Sequence, residues 1–98
     1  MKLVIAAQAE ADLEQIADYI AADSPVRALS FVRELRQSCM TLVEWPESHP
    51  LVPRFESSGV RRRVHGNYLI FFRIKVSTIE VLHILHGAMD YERILFGE

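Results

Sequence analysis

The sequence predicts an α+β fold of two layers: an initial strand, a helical hairpin, then a three-stranded, mostly antiparallel sheet carrying the hairpin on one face. Three observations carry that expectation. The hydrophobic period is helical from Gln8 to Trp45 and strand-like after Gly59. A break at Asp23-Ser24-Pro25 divides the helical part in two. The chain has 98 residues, enough for one domain over 1–98 and for two layers, but not for a third.

Leu3-Val4-Ile5 reads as a short strand. Leu13, Ile16, Ala17 and Ile20 then fall at i, i+3, i+4 and i+7, one face of a helix. Glu10, Asp12, Glu14 and Asp18 are expected on its solvated sides, where acids near a helix start suit the macrodipole. Ser24 suits an N-cap and Pro25 the first helical position of a second helix. Ala28, Phe31, Val32, Leu35, Cys39, Leu42 and Val43 form its apolar stripe. Trp45-Pro46 ends it, because a residue before proline avoids the helical region. So short a break makes the two helices antiparallel neighbours.

Glu47–Ser58 carries Pro50 and Pro53 and reads as an irregular connection. Three strand-like runs follow. Gly59–His65 alternates Val60, Arg62 and Val64 against Arg61, Arg63 and His65. Gly66-Asn67 is a turn signal. Tyr68–Ile74 is apolar on both faces, as is Ile79–Leu85 apart from Glu80 and His83. After Gly87 the tail suits one helical turn, with Asp90 as N-cap and Ile94, Leu95 and Phe96 as its apolar side. In this arrangement the sheet face away from the hairpin is expected to lie bare. The missing layer would come from another protein, and the free chain would be poorly soluble.

The net charge of −2 excludes a basic coat protein for nucleic acid, but it hides an asymmetry. Residues 1–50 hold four basic and eight acidic side chains (−4), residues 51–98 seven and five (+2). Six of the cations, Arg54, Arg61, Arg62, Arg63, Arg73 and Lys75, form a basic band interrupted only by Glu56. The single cysteine, Cys39, rules out an internal disulfide framework and a Cys-based zinc site, and a reducing cytoplasm is expected. No apolar run approaches the ~20 residues of a membrane span, and Met1–Ile5 is too short for a secretory signal.

Arg61 and Arg63 should point to one side of their strand and Arg62 to the other. Arginine favours phosphates and carboxylates, so the run is a candidate binding surface. The alternative is a solvated edge strand whose charge discourages pairing. Arg73, flanked by Phe72 and Ile74, needs a partner or a wet groove. His83 and His86 lie three residues apart on opposite strand faces, which disfavours a shared metal or acid–base site. His49 and His65 add no ligand spacing. Cys39 sits on an apolar stripe, as a buried inert thiol does. The helix carboxylates, Asp12, Glu14, Asp18 and Asp23, read as solvated. Without a phosphate loop, nucleophile elbow or stacked-aromatic signature, neither cofactor nor metal is expected.

The run Ala11–Ala21, then Asp23-Ser24-Pro25 with Ala28 and Phe31, resembles the first half of a ParE toxin. Val60-Arg61, Tyr68–Ile74 and Glu80–Asp90, ending His86-Gly87-Ala88-Met89-Asp90, resemble its closing strands. The likeness spans nearly the whole chain and implies the ParE branch of the RelE/ParE superfamily, the toxin half of a type II toxin–antitoxin pair in the setting of plasmid stabilisation. His83 and Met89 stand where relatives often carry arginine.

The resemblance implies a cytoplasmic, non-enzymatic DNA gyrase inhibitor that blocks replication. It implies a hetero-oligomer with a small antitoxin, whose N-terminal half is ribbon-helix-helix-like and whose C-terminal segment is acidic and apolar. Arg61, Arg62, Arg63, Tyr68, Arg73, His83, His86 and Asp90 are the candidates for target or antitoxin contacts. The alternative is a RelE-like, ribosome-dependent mRNA endonuclease. Arg61, Arg63 and Arg73 would then stabilise phosphate charge, and His83, His86 or Tyr91 would transfer protons. A degenerate member that binds antitoxin without toxicity is the third reading.

Overall fold

A computed structural model describes residues 1–97. In chain order the elements are β1 (Lys2–Ile5), α1 (Ala7–Ala21), α2 (Pro25–Met40), β2 (Val60–His65), β3 (Tyr68–Ile74), β4 (Thr78–His86) and α3 (Tyr91–Phe96). Ser24 caps α2 by accepting the Arg27 N–H at 3.1 Å, and Pro25 takes the first turn. The second helix ends earlier than its apolar stripe suggests. Thr41–Val43 tighten into a 3₁₀ turn, and Trp45 leaves the helical region at φ −143° ahead of Pro46. The restriction before proline thus acts at Trp45 itself, after the α-helix has already tightened into the 3₁₀ turn.

The sheet has four strands in the order β1-β4-β3-β2. Beyond the three antiparallel strands expected, β1 joins as a fourth, parallel to β4. The helical hairpin carries the chain from that edge to the opposite one, where β2 begins. Gly66 supplies the positive φ, 60°, that the two-residue turn between β2 and β3 requires. In β4 the register jumps between Phe71 and Phe72, which face His83 and Val81, so Leu82 is the extra residue of a bulge.

Alternation along β3 separates two cores. Ile70 and Phe72 pack with Leu13, Ile16, Leu35, Cys39 and Leu42 of the hairpin layer. Leu69 and Phe71 pack with Val52, Val60 and Leu85 on the other face. That second face was expected to be bare, and it is not. Phe55 from the connection and Tyr91, Leu95 and Phe96 from α3 lie across it, and Phe71 is fully buried. The covering layer comes from two segments far apart in sequence. The Phe55 and Phe96 rings stack at 4.1 Å, and Arg54 pairs with Glu92. Arg54 adopts a left-handed φ of 72°, at a cost of about 1–2 kcal/mol. Asp90 caps α3 as expected, accepting the Arg93 N–H at 3.4 Å. The reason given for poor solubility, a large uncovered sheet face, is therefore absent.

The stacked pair gives a test of this third layer. Phe55→Ala and Phe96→Ala should each cost about 1–2 kcal/mol, since both rings are only partly buried. Urea unfolding of the double variant should fall short of the sum by about 0.5–1.5 kcal/mol. Strict additivity would mean that the rings do not pair in solution.

Candidate functional site

The basic band meets the fold at β2, and the strand's alternation distributes its arginines as expected. Arg61 Nη1 donates to the carbonyls of His49 (2.7 Å) and Glu47 (3.2 Å), tying the connection to the strand. Arg63 Nη1 donates to the Ser38 carbonyl (2.9 Å) and the Thr41 hydroxyl (2.7 Å) at the end of α2. Arg62 points to the other face and donates to the Tyr91 hydroxyl at 2.8 Å, while that ring packs against Phe71. Arg73 neighbours Val60 and Glu80 across the ladder. Its Nε is buried without a hydrogen-bond partner, and the Glu80 carboxylate is held by Lys75 at 3.0 Å.

A groove of about 650 Å³ opens between α2 and β2. Arg33, Glu34, Gln37, Arg63 and His65 line it, with the Ser38 and Thr41 side chains at its floor. Arg27 engages Glu34 at 3.0 Å and stands over the Phe31 ring at 5.0 Å. A second cleft of about 620 Å³ lies at the end of the hairpin, between Tyr19, Arg27, Phe31, Asn67, Tyr68 and His86. His65, Tyr68 and His86 are consecutive register partners across β2, β3 and β4. Their rings cluster with Phe31, 5.5 Å from Tyr68 and 5.8 Å from His65. Burial, with the neighbouring Tyr19 phenol, holds the Tyr68 phenol above its ordinary pKa.

His83 lies elsewhere. Its Nδ1 is 2.8 Å from Asp12 Oδ2, which also accepts the Ile84 N–H at 2.9 Å. Asp12 was expected on a solvated helix side, yet it is 5% exposed. The cause is topological. β1 covers the edge of β4 only as far as Val81, and α1 then brings Asp12 to the next open backbone N–H. A signal was present in the sequence: Asp12 sits at i+3 from Ala9 and i−4 from Ile16, inside the apolar stripe. His86 Nδ1 accepts the Ala88 N–H at 3.0 Å.

The structure therefore brings together Tyr68 and His86, Arg62 and Tyr91, and Arg61 with Arg63. It does not assemble Arg61, Arg63, Arg73, His83, His86 and Tyr91 into one cluster. Burial raises the Cys39 thiol to about 11, which keeps it protonated and inert. Burial, then Arg63 and Arg61, lowers the His49 imidazole. Among the described residues, no three His, Cys, Asp or Glu side chains are grouped to hold a metal ion, and no helix is long and apolar enough to cross a membrane.

Comparison with known proteins gives a consistent picture. A family model described as the ParE toxin of the type II toxin–antitoxin system, parDE, matches residues 3–91. The chromosomal ParDE toxin–antitoxin system from P. aeruginosa is similar in structure, with a TM-score of 0.75 and 28% identity over 88% of this chain and 95% of that one. The toxin–antitoxin complex RelBE2 from Mycobacterium tuberculosis follows at a TM-score of 0.65 and 19% identity, covering 87% and 95%. The second likeness is one of fold alone. No curated protein matches the chain in sequence.

Two substitutions test the local chemistry. Asp12→Ala leaves the buried Ile84 N–H unpaired and should cost about 2–3 kcal/mol in urea unfolding. His83→Ala, which spares that bond, should cost less. Equal losses would place the energy in the imidazole contact. For His49 the sign follows from its lowered value. The unfolded chain takes up the proton near about 6.5, the folded chain only below it, so stability falls as pH drops through that window. His49→Gln should flatten the fall between about pH 7 and pH 5 in thermal melts. An unchanged slope would mean that His49 protonates freely in the folded state.

Proposed function

Because the chain belongs to the ParE toxin family of type II toxin–antitoxin systems, we propose that it arrests growth by binding DNA gyrase and blocking replication. It performs no chemical step of its own, and a cognate antitoxin neutralises it. The observation that carries this reading is the dispersal of its chemically capable side chains. Arg61 and Arg63 are committed to carbonyl and hydroxyl acceptors on the hairpin side. Tyr91 is on the far face, and His83 is engaged by Asp12. Acid–base catalysis needs donor and acceptor within hydrogen-bond reach of one reacting group. Inhibition by binding needs only a surface.

An antitoxin partner is supported by the P. aeruginosa neighbour, itself a toxin–antitoxin system. The basic half of the chain suits an acidic, apolar segment that orders on binding. In this reading the toxin and its antitoxin form a hetero-oligomer in the cytoplasm.

A second reading, cleavage of mRNA on the ribosome, has one observation in its favour: the Arg62 guanidinium bonded to the Tyr91 phenol. That pairing puts a cation beside a group able to transfer a proton.

Purified protein should inhibit gyrase supercoiling or raise cleavage complexes at micromolar concentration, and it should leave ribosome-bound transcripts intact. Transcript cleavage that is lost in Tyr91→Phe, with gyrase unaffected, would replace the first reading by the second. Normal growth on induction without antitoxin would identify a member that retains binding but not toxicity.

A further inference from the structure

We propose that the cleft at the end of the hairpin binds a nucleoside monophosphate, its base against Tyr19 and its phosphate toward Arg27. The cleft holds about 620 Å³, inside the ~300–1,000 Å³ of small-molecule sites. Four elements meet there. α1 gives Tyr19, α2 gives Arg27 and Phe31, β3 begins at Tyr68 and β4 ends at His86. The lining contains one guanidinium and no carboxylate, so the cleft favours an anion over a cation. Its side chains form a row. The Arg27 guanidinium stands 5.0 Å from the Phe31 ring, Phe31 5.5 Å from Tyr68, and Tyr68 5.2 Å from His86. A cation at one end and rings at the other match a ligand that is anionic at one end and flat at the other.

The polar groups of the cleft are mostly idle donors. Arg27 bonds Glu34 and Ser30 through Nη1 alone, which fixes the side chain. Glu34 itself lines the other groove. Among the described residues, no hydrogen bond engages Arg27 Nε or Nη2, the Tyr19 and Tyr68 hydroxyls or the Asn67 carboxamide. Because His86 Nδ1 accepts the Ala88 N–H, a neutral ring carries its proton on Nε2 and donates from there. Guanidinium and hydroxyl donors suit phosphate oxygens. Tyr19 specifies the flat end. It is 77% exposed, and among the described residues no ring stacks on it. An open aromatic face at a cleft takes a base of any kind, because every base has a π-face. The Asn67 carboxamide offers a donor and an acceptor in one plane for the edge of that base. Tyr68 packs on the hairpin side of the sheet, and the Arg62–Tyr91 pair lies on the opposite face. The cleft is thus separate from the pair that the endonuclease reading uses.

The probe is adenosine monophosphate titrated into the isotopically labelled full chain, with adenosine, ribose 5-phosphate and inorganic phosphate in separate titrations. Saturable amide shifts should centre on Tyr19, Arg27, Asn67 and His86. The mononucleotide should bind roughly tenfold tighter than any of its parts. Tyr19→Ala should weaken the mononucleotide and adenosine alike, by roughly tenfold. Arg27→Ala should weaken the mononucleotide by a similar factor and leave adenosine unchanged. Both side chains are more than half exposed, so urea unfolding of the two variants should match that of the native chain. No saturable shift at millimolar mononucleotide would overturn the proposal. So would equal affinity for inorganic phosphate or ribose 5-phosphate, which leaves the rings no part in binding. Unchanged affinity in both variants would do the same. Neither gyrase nor antitoxin enters the titration, so its failure leaves the toxin reading standing.

Discussion

Phe71 and Phe72 are adjacent in β3, and both are fully buried. Adjacent strand residues point to opposite faces, so this pair requires a covering layer on each side of the sheet. Much of the architecture answers that requirement. The helical hairpin covers Phe72, and its amphipathic stripe is continuous enough to do so alone. Phe71 has no long amphipathic helix over it. The connection after Trp45 and the short C-terminal helix supply the cover, held by the Phe55–Phe96 stack, the Arg54–Glu92 ion pair and the Arg62–Tyr91 bond. A six-residue helix has little stability of its own, so its order derives from this docking.

The same constraint disposes of the basic band. Of the three consecutive arginines, two fasten the strand to the hairpin side and one fastens it to α3. A guanidinium has five donors, and such bonds leave it charged. The arginines therefore hold the layers together while the field around β2 stays positive. Arg36 uses the same chemistry between the helices. It bonds Glu10 through two nitrogens at 2.7 and 3.1 Å, which holds the Glu10 carboxyl below its ordinary pKa.

The fold gives His83 a structural partner. Asp12 takes the Ile84 N–H where β1 leaves β4 uncovered and meets the imidazole with the same oxygen. A carboxylate buried in an α+β core is stable only when its lone pairs find donors, and Gln8 supplies a third at 3.1 Å. His83 is thereby tied to α1, and the open cationic surface lies at β2.

The order of elements, the helical hairpin with its Ser24-Pro25 start, the Asp90 cap and the opposite directions of Arg61 and Arg62 were all legible in the sequence. Each follows from local periodicity or from one residue's backbone preference. So was the family, through Ala11–Ala21 and the His86–Asp90 ending. What the tertiary structure alone decided depends on contacts between segments distant in the chain. The parallel seat of β1 beside β4, the burial of Asp12 seventy-two residues from the Ile84 N–H, and the cover over Phe71 built from Phe55 and Phe96 are of this kind. Periodicity gives the face on which a residue stands, but not what comes to lie against it. That depends on loop closure and on which backbone groups are left open once the sheet has formed.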